Sequence, residues 1–238
     1  MVFNSIFFIF CFLPVFMLIY YLVPGKLRNL LLFLGSLIFY AWGEPVYVIL
    51  MLFSSIFNYY MGTELERLYY DDRKQKINLI FSIIINLAVL VFFKYYGFLL
   101  NTIHIPHPEL SLPIGLSFYT FRNLSYLFDI YLSKVSAQRN FLTFSVYSTM
   151  FPYTSAGPIV RYTDIETQLK QRTINISKFG IGAELFVKGL AKKVLLADNL
   201  SVLYSSICGH PQMSVFTSWL GILAYTMQLY FDFSGYSD

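Results

Sequence analysis

Three ionisable side chains stand inside long apolar runs of this chain: Arg122 and Asp129 within residues 112–132, and Asp232 within "YFDFSGYSD", Tyr230 to Asp238. A charge in such a run is costly and is normally turned toward a protein interior or a water-filled cavity. Arg122 and Asp129 lie seven residues apart, two turns along one helical face, so both can meet partners on other helices. Asp232 sits between Phe231 and Phe233 and has no basic neighbour in sequence. Groups of this kind act either as polar glue between helices or as a site for a polar substrate, and spacing alone leaves both readings open. Lys94, near one end of the apolar run 77–100, can snorkel to water.

Soluble-enzyme signatures are missing. "GIGAEL" (Gly180–Leu185) departs from the dinucleotide fingerprint at its last position, and no phosphate loop or nucleophile elbow occurs. His104 with His107, and Cys208 with His210, each offer two ligands where a structural zinc takes four, so these read as solvated loop residues and no metal site is expected. Cys11 and Cys208 give no disulfide framework.

The elements that must position these groups follow from composition. Hydrophobic residues make up 57% of the 238 and charged residues 13%, against about 25% charged in a soluble protein. Mean hydropathy is +0.59. The expectation is an all-α, polytopic membrane protein, with the net charge of +4 read as a topology signal and not as a nucleic-acid footprint. No Lys or Arg precedes Lys26, so residues 3–23 lack the basic start of a signal peptide and read as a span kinked at Pro14. Residues 29–42 and 46–61 read as a helical hairpin turning at "WGEP". "ELERLYYDDRKQK" (Glu64–Lys76) reads as aqueous, and 77–100 as the next span. A Pro-broken loop follows at 101–111, and 214–233 is the last apolar segment.

Of the 17 Lys and Arg residues, 12 fall in 26–28, 67–76, 134–139 and 161–178, and none in 42–45, 101–111 or 201–218. Excess positive charge marks cytoplasmic loops. The N-terminus is therefore expected outside, and both ends of 141–160 inside. That makes 141–160, with its "FPYTSAGP", a re-entrant segment, and implies a cavity around Phe151–Pro158, because irregular backbone at membrane depth must be buried in protein or line a cavity. In 178–196, Phe179, Ala183, Phe186, Val187, Leu190 and Val194 share one face while Lys178, Glu184, Lys188 and Lys192 share the other. This pattern predicts an amphipathic helix lying in the interface.

Four stretches, "LPIGLSFYTFRNLSYLFDIY" (Leu112–Tyr131), "AGPIVRYTDIETQL" (Ala156–Leu169), "GLAKKVLLADNL" (Gly189–Leu200) and "YFDFSGYSD", resemble in order and spacing the membrane-bound O-acyltransferase superfamily, and most nearly its bacterial alginate O-acetylation branch. The opening "MVFNSIFFIFCFLPVFMLIYYLVP" and "LIFYAWGEP" (Leu37–Pro45) resemble that branch too, so the likeness extends over the whole chain, read as the N-terminal part of one transmembrane domain, residues 1–238. In the family, the segment similar to "YFDFSGYSD" lies roughly midway, and the His regarded as catalytic comes after it. The resemblance thus implies a fragment without that His, inactive by itself.

The resemblance further implies that the parent enzyme transfers an acyl group, most simply acetyl, to hydroxyls of an exported polysaccharide or a cell-envelope glycan. It would do so in the inner membrane, through a funnel supplied with an acetyl thioester or acyl carrier and with membrane or periplasmic acetylation proteins as partners; no bound cofactor is implied. Gly157, Pro158, Arg161 and Tyr162 would line its cytoplasmic wall, with Arg161 meeting an anionic donor or simply setting topology, and Asp232 would lie in the core. Arg122 and Asp129 complete the candidate set. The alternatives are a non-catalytic membrane scaffold or remnant and, with no inverted repeat visible, a transporter.

Overall fold

A long apolar run still has backbone N–H and C=O groups to satisfy, and in lipid the helix does this within one segment. A computed structural model describes residues 3–102, 104, 106, 111–154, 157–172, 174–210 and 214–238, and its regular elements are all helical. They form two compact units, Leu13–Arg172 and Val2–Phe12 with Thr173–Asp238.

The first unit contains α1 (Leu13–Leu22), α2 (Arg28–Gly43), α3 (Val48–Arg67), α4 (Asp72–Thr102), α5 (Leu116–Tyr131), α6 (Phe141–Thr149) and α7 (Tyr162–Lys170). Its centre is α5, ten of whose sixteen residues are buried. Helices α3 and α4 pack on α5, and α6 packs against α2 and α3. The "WGEP" turn falls where expected, between α2 and α3. The stretch 64–76, read as aqueous, spans the end of α3, which runs to Arg67, a short turn, and the start of α4 at Asp72. Polar side chains at helix ends are solvated without unwinding the backbone. Helix α4 is 31 residues long, about 46 Å at a rise of about 1.5 Å per residue, against a hydrocarbon core of about 30 Å.

Helices α3 and α4 are long and apolar enough to cross a bilayer, and their faces are inverted relative to a soluble protein. Helix α4 buries Gln75, Leu79, Ser82, Asn86 and Leu90 and exposes Ile77, Ile80, Phe81, Ile84, Leu87, Val91 and Phe92. Helix α3 buries Met51, Ser55, Asn58, Gly62 and Leu65 and exposes Ile49, Phe53, Ile56 and Tyr60. The amides of Asn58 and Asn86 exchange hydrogen bonds of 3.0 and 2.9 Å between the two helices. Ser55 donates to Ser148 Oγ on α6 (3.1 Å), and the Asn123 amide donates to Ser54 Oγ (3.1 Å). Small and polar residues lie inside and large apolar ones outside, a pattern that suits helices able to cross a bilayer.

The second unit holds a π turn, Phe8–Phe12, then α8 (Ile176–Ala191), a second π turn at Lys192–Ala197, α9 (Asp198–Cys208) and α10 (Val215–Ser237). Of the expected span 3–23, residues 6–22 are helical, with the first π turn close ahead of Pro14. The expected helix 178–196 is helical throughout but α-helical only to Ala191. Beyond it the ladder widens into the π turn, for a reason given below.

Candidate functional site

The residues singled out in the sequence fall into two groups, one in each unit. In the first, a left-handed Gly115 (φ 75°) begins α5. A Cβ there would stand 2.0 Å from the carbonyl oxygen of Thr154, so only glycine lets the start of α5 touch the corner that follows α6. That corner, Met150–Thr154, is held from several sides. The Phe151 N–H donates to Ser36 Oγ of α2 (3.1 Å), and the Phe151 ring meets Phe16 edge-on with centroids 5.4 Å apart.

Arg122 is almost wholly buried, and its guanidinium is directed to backbone. Nη1 donates to the carbonyls of Tyr147 (3.1 Å) and Ser148 (3.3 Å), and Nη2 to that of Tyr153. These carbonyls lie in the last turn of α6 and the 3-10 turn Phe151–Tyr153, where the helix dipole is negative and acceptors lack helical partners. A cation there neutralises the exposed ends and ties α6 to α5. The Tyr147 hydroxyl closes the loop, donating to the Arg122 carbonyl (3.1 Å) and lying 3.3 Å from that of Val160.

Asp129, two turns on, is buried and faces Lys134 at 3.9 Å, in the loop after α5. Arg122 and Asp129 therefore share a helix, the first directed to the α6 corner and the second to Lys134. Tyr162 is fully buried; its ring packs edge-on to Tyr126 and Tyr147, and its hydroxyl accepts from Gln138 Nε2 (2.7 Å). Gly157 takes φ 95° and is buried, while Pro158 and Arg161 are exposed. Arg161 is thus the cation of this set that faces outward. Of the segment expected to surround a cavity, Phe151 and Thr154 are packed away, and Ser155 and Ala156 lie outside the described residues. A crevice does open between α3, α4 and α5, lined by Phe53, Ser54, Phe57, Asn86, Tyr119 and Thr120 among others, and none of the residues singled out in the sequence lines it.

In the second unit, Asp232 on α10 has a basic partner that sequence proximity could not reveal. Lys193 Nζ lies 2.7 Å from Asp232 Oδ1 and 3.1 Å from Asp198 Oδ1. Next to it, Lys192 donates to Ser234 Oγ (3.0 Å) and pairs with Asp238. Partial burial opposes the charge on Lys193, yet the two carboxylates hold its ammonium above the ordinary lysine value. Both lysines belong to the π turn. The wider turn brings consecutive lysines onto α10 together, which explains why the amphipathic pattern breaks here and why Lys192 does not share an open face with Glu184 and Lys188. Those two pair with each other in solvent at 2.6 Å. Backbones touch at the same place: a Cβ on Gly235 would come 2.7 Å from the Gly189 carbonyl oxygen, and one on Gly189 would come 2.4 Å from that of Gly235.

The motifs are thus paired in space. "GLAKKVLLADNL" meets "YFDFSGYSD" through Gly189–Gly235, Lys192–Asp238 and Lys193–Asp232. The stretch beginning "LPIGLSF" meets the one beginning "AGPIVRY" through Tyr126–Tyr162. Sequence reasoning missed Lys193, Asp198 and the glycine pair. Their signal was present on α10, where Gly221, Ala224, Gln228, Asp232 and Gly235 recur at three- and four-residue spacing, a small and polar stripe on an otherwise large apolar helix. Of the loop histidines, His104 has φ 57°, and His107 lies outside the described residues. Among the described residues no three His, Cys, Asp or Glu side chains are grouped to hold a metal.

An all-helical chain with two bilayer-length helices of inverted polarity is the class that fold and surface define. Within it, the chain is 38% identical over 248 residues to a probable alginate O-acetylase of Pseudomonas aeruginosa, an alignment taking in 100% of this chain and 48% of that protein. It is 37% identical over 250 residues to the probable alginate O-acetylase of Azotobacter vinelandii, covering 50% of it. It is 31% identical over 279 residues to the peptidoglycan O-acetyltransferase of Helicobacter pylori, covering 52% of it. The chain is therefore similar along its whole length to proteins named as O-acetylases of alginate and of peptidoglycan, and it spans about half the length of these relatives. No family model matches the chain.

Proposed function

We propose that this chain forms part of an inner-membrane enzyme that O-acetylates hydroxyls of an exported polysaccharide or envelope glycan. The observation that carries the reading is the match over the entire chain to proteins named for O-acetylation of alginate and of peptidoglycan. The inverted polarity of α3 and α4 supports a bilayer location. The reaction requires a general base to take the proton from a sugar hydroxyl as it attacks the acyl carbonyl, with the donor, an acetyl thioester or acyl carrier, arriving as substrate. In this reading Arg122 fixes the α6 corner and Lys193 fixes α10, so both build walls and neither touches the reacting atoms. Arg161, exposed at the start of α7, is free to meet an anionic donor or a partner protein. The N-terminus lies outside, 141–160 is re-entrant from the cytoplasmic side, and 178–191 lies along the interface, each supported by the distribution of Lys and Arg.

The test is to remove the reading frame encoding this chain and to quantify alkali-labile acetate on the exported and wall polysaccharides. Loss of the ester, restored by the gene in trans, is expected. Unchanged ester on both polymers would refute the reading.

A further inference from the structure

We propose that Tyr147 is the positioning residue for Arg161: its buried hydroxyl and ring clamp the backbone on both sides of the exposed guanidinium. The proposal rests on the reading above, in which Arg161 meets an anionic donor or a partner protein. Arg161 occupies the N-cap of α7 in an extended conformation (φ −78°, ψ 153°), and its side chain caps nothing. That position favours Ser, Thr, Asp or Asn, and a cation there opposes the positive end of the helix dipole. Local stability thus gives no reason for an arginine. Nor do the nearby acids of α7: Asp164 accepts from the Thr163 hydroxyl at 3.2 Å, and Glu166 is engaged by Lys170 at 2.5 Å.

An exposed side chain is placed only as well as the backbone that carries it. With no side-chain cap, the start of α7 must be fixed from within. Tyr147 on α6 is fully buried. Its hydroxyl lies 3.3 Å from the carbonyl oxygen of Val160, the residue before Arg161, and 3.1 Å from that of Arg122 on α5. Its ring meets that of Tyr162, the residue after Arg161, edge-on with centroids 5.2 Å apart. Tyr162 is itself fully buried and accepts from Gln138 Nε2 at 2.7 Å. Tyr147 is anchored in turn, because its own carbonyl accepts from Arg122 Nη1 at 3.1 Å. One side chain therefore touches both neighbours of Arg161 and belongs to a residue tied to α5 at two points. Replacing the phenol by Phe frees Val160 and leaves the ring available to Tyr162.

The test supplies variants in trans to a strain lacking this reading frame and measures alkali-labile acetate, normalised to the amount of chain in the membrane. Tyr147→Phe is expected to lower the ester about fivefold, the worth of one hydrogen bond, and Arg161→Gln about tenfold, the loss of a charged contact. Arg161→Lys should retain part of the activity. A positioning residue acts only through what it positions, so the double variant Tyr147→Phe with Arg161→Gln should stay within about twofold of Arg161→Gln alone. Multiplied losses, about fiftyfold, would make Tyr147 ordinary core packing and overturn the proposal. Parent-level ester in either single variant would overturn it too. Unchanged ester in the strain lacking the frame would instead refute the acetylation reading. The clamp is then decided without activity, by nitroxides on Thr163→Cys or Tyr70→Cys in the full chain carrying Cys11→Ser and Cys208→Ser, in mixed micelles. Tyr147→Phe should loosen the label at position 163 and leave that at position 70, in the turn between α3 and α4, unchanged. No change at 163, or equal loosening at both positions, overturns the clamp.

Discussion

The Asn58–Asn86 pair offers a direct measure of how the α3–α4 hairpin is held together. Each amide donates to the other's oxygen, at 3.0 and 2.9 Å, and each also donates to a carbonyl one turn back, Ser54 or Ser82, at 2.8 Å. Replacing one Asn by Leu therefore orphans a single buried carbonyl oxygen on its partner, while the partner's amide keeps its own-helix acceptor. An orphaned buried acceptor costs about 1–3 kcal/mol, so Asn58→Leu and Asn86→Leu should each cost about 1–2 kcal/mol, the retained bond setting the lower half of that range. In the double variant neither oxygen is left behind, and two leucines match the surrounding residues. Polar pairs between membrane helices couple by about 0.6 kcal/mol on average and about 1.7 at most. The double variant should thus be less damaging than the two single costs added together, by an amount in that range. Reversible unfolding of the four proteins in mixed micelles, titrated with denaturing detergent and followed by helical circular dichroism, measures the cycle. Strict additivity within about 0.3 kcal/mol, or single variants as stable as the parent, would refute the claim that this pair lies buried between the two helices.

Gly235→Leu should lower the stability of the second unit by about 1–3 kcal/mol, because a Cβ there meets the Gly189 backbone oxygen at 2.7 Å, whereas Gly25→Ala, with nothing within 4 Å, should be silent in the same melt. Lys193 has a raised pKa, so its ion pairs contribute fully below the ordinary lysine value of 10.5 and are lost as pH climbs through the folded value; unfolding midpoints measured as pH is raised above 10.5 should fall less steeply in Lys193→Met than in the parent. On intact cells, an impermeant thiol reagent should label a single cysteine at position 107, outside the described residues, and not one at position 72, with the reverse pattern refuting the orientation read from Lys and Arg. Residues 1–238 expressed alone in a host lacking a full-length relative should add no ester-linked acetate to the envelope glycan above empty vector; acetylation abolished by Asp232→Asn would place the active site in this chain.

Composition and the spacing of apolar runs determined the all-helical class, the position of most helices and the turn at "WGEP", because a helix in lipid satisfies its own backbone and needs no partner to be specified. The four motifs determined the family likeness in the same local way. The unusual placement of Arg122, Asp129 and Asp232 was also visible, since an ionisable residue in an apolar run stands out by type alone. What each of them faces was decided only by tertiary structure. Arg122 meets carbonyls 25 to 31 residues away, Asp232 meets Lys193 across two helices, and Asn29 meets the Leu169 carbonyl from 140 residues away. Periodicity assigns a side chain to a face but says nothing of what is opposite. It also assumes an unbroken 3.6-residue repeat, which the π turn at Lys192–Ala197 violates, so Lys192 changed from a solvent-facing position to a partner of α10. A partner is chosen by the packing of other helices, and that information resides in the fold as a whole.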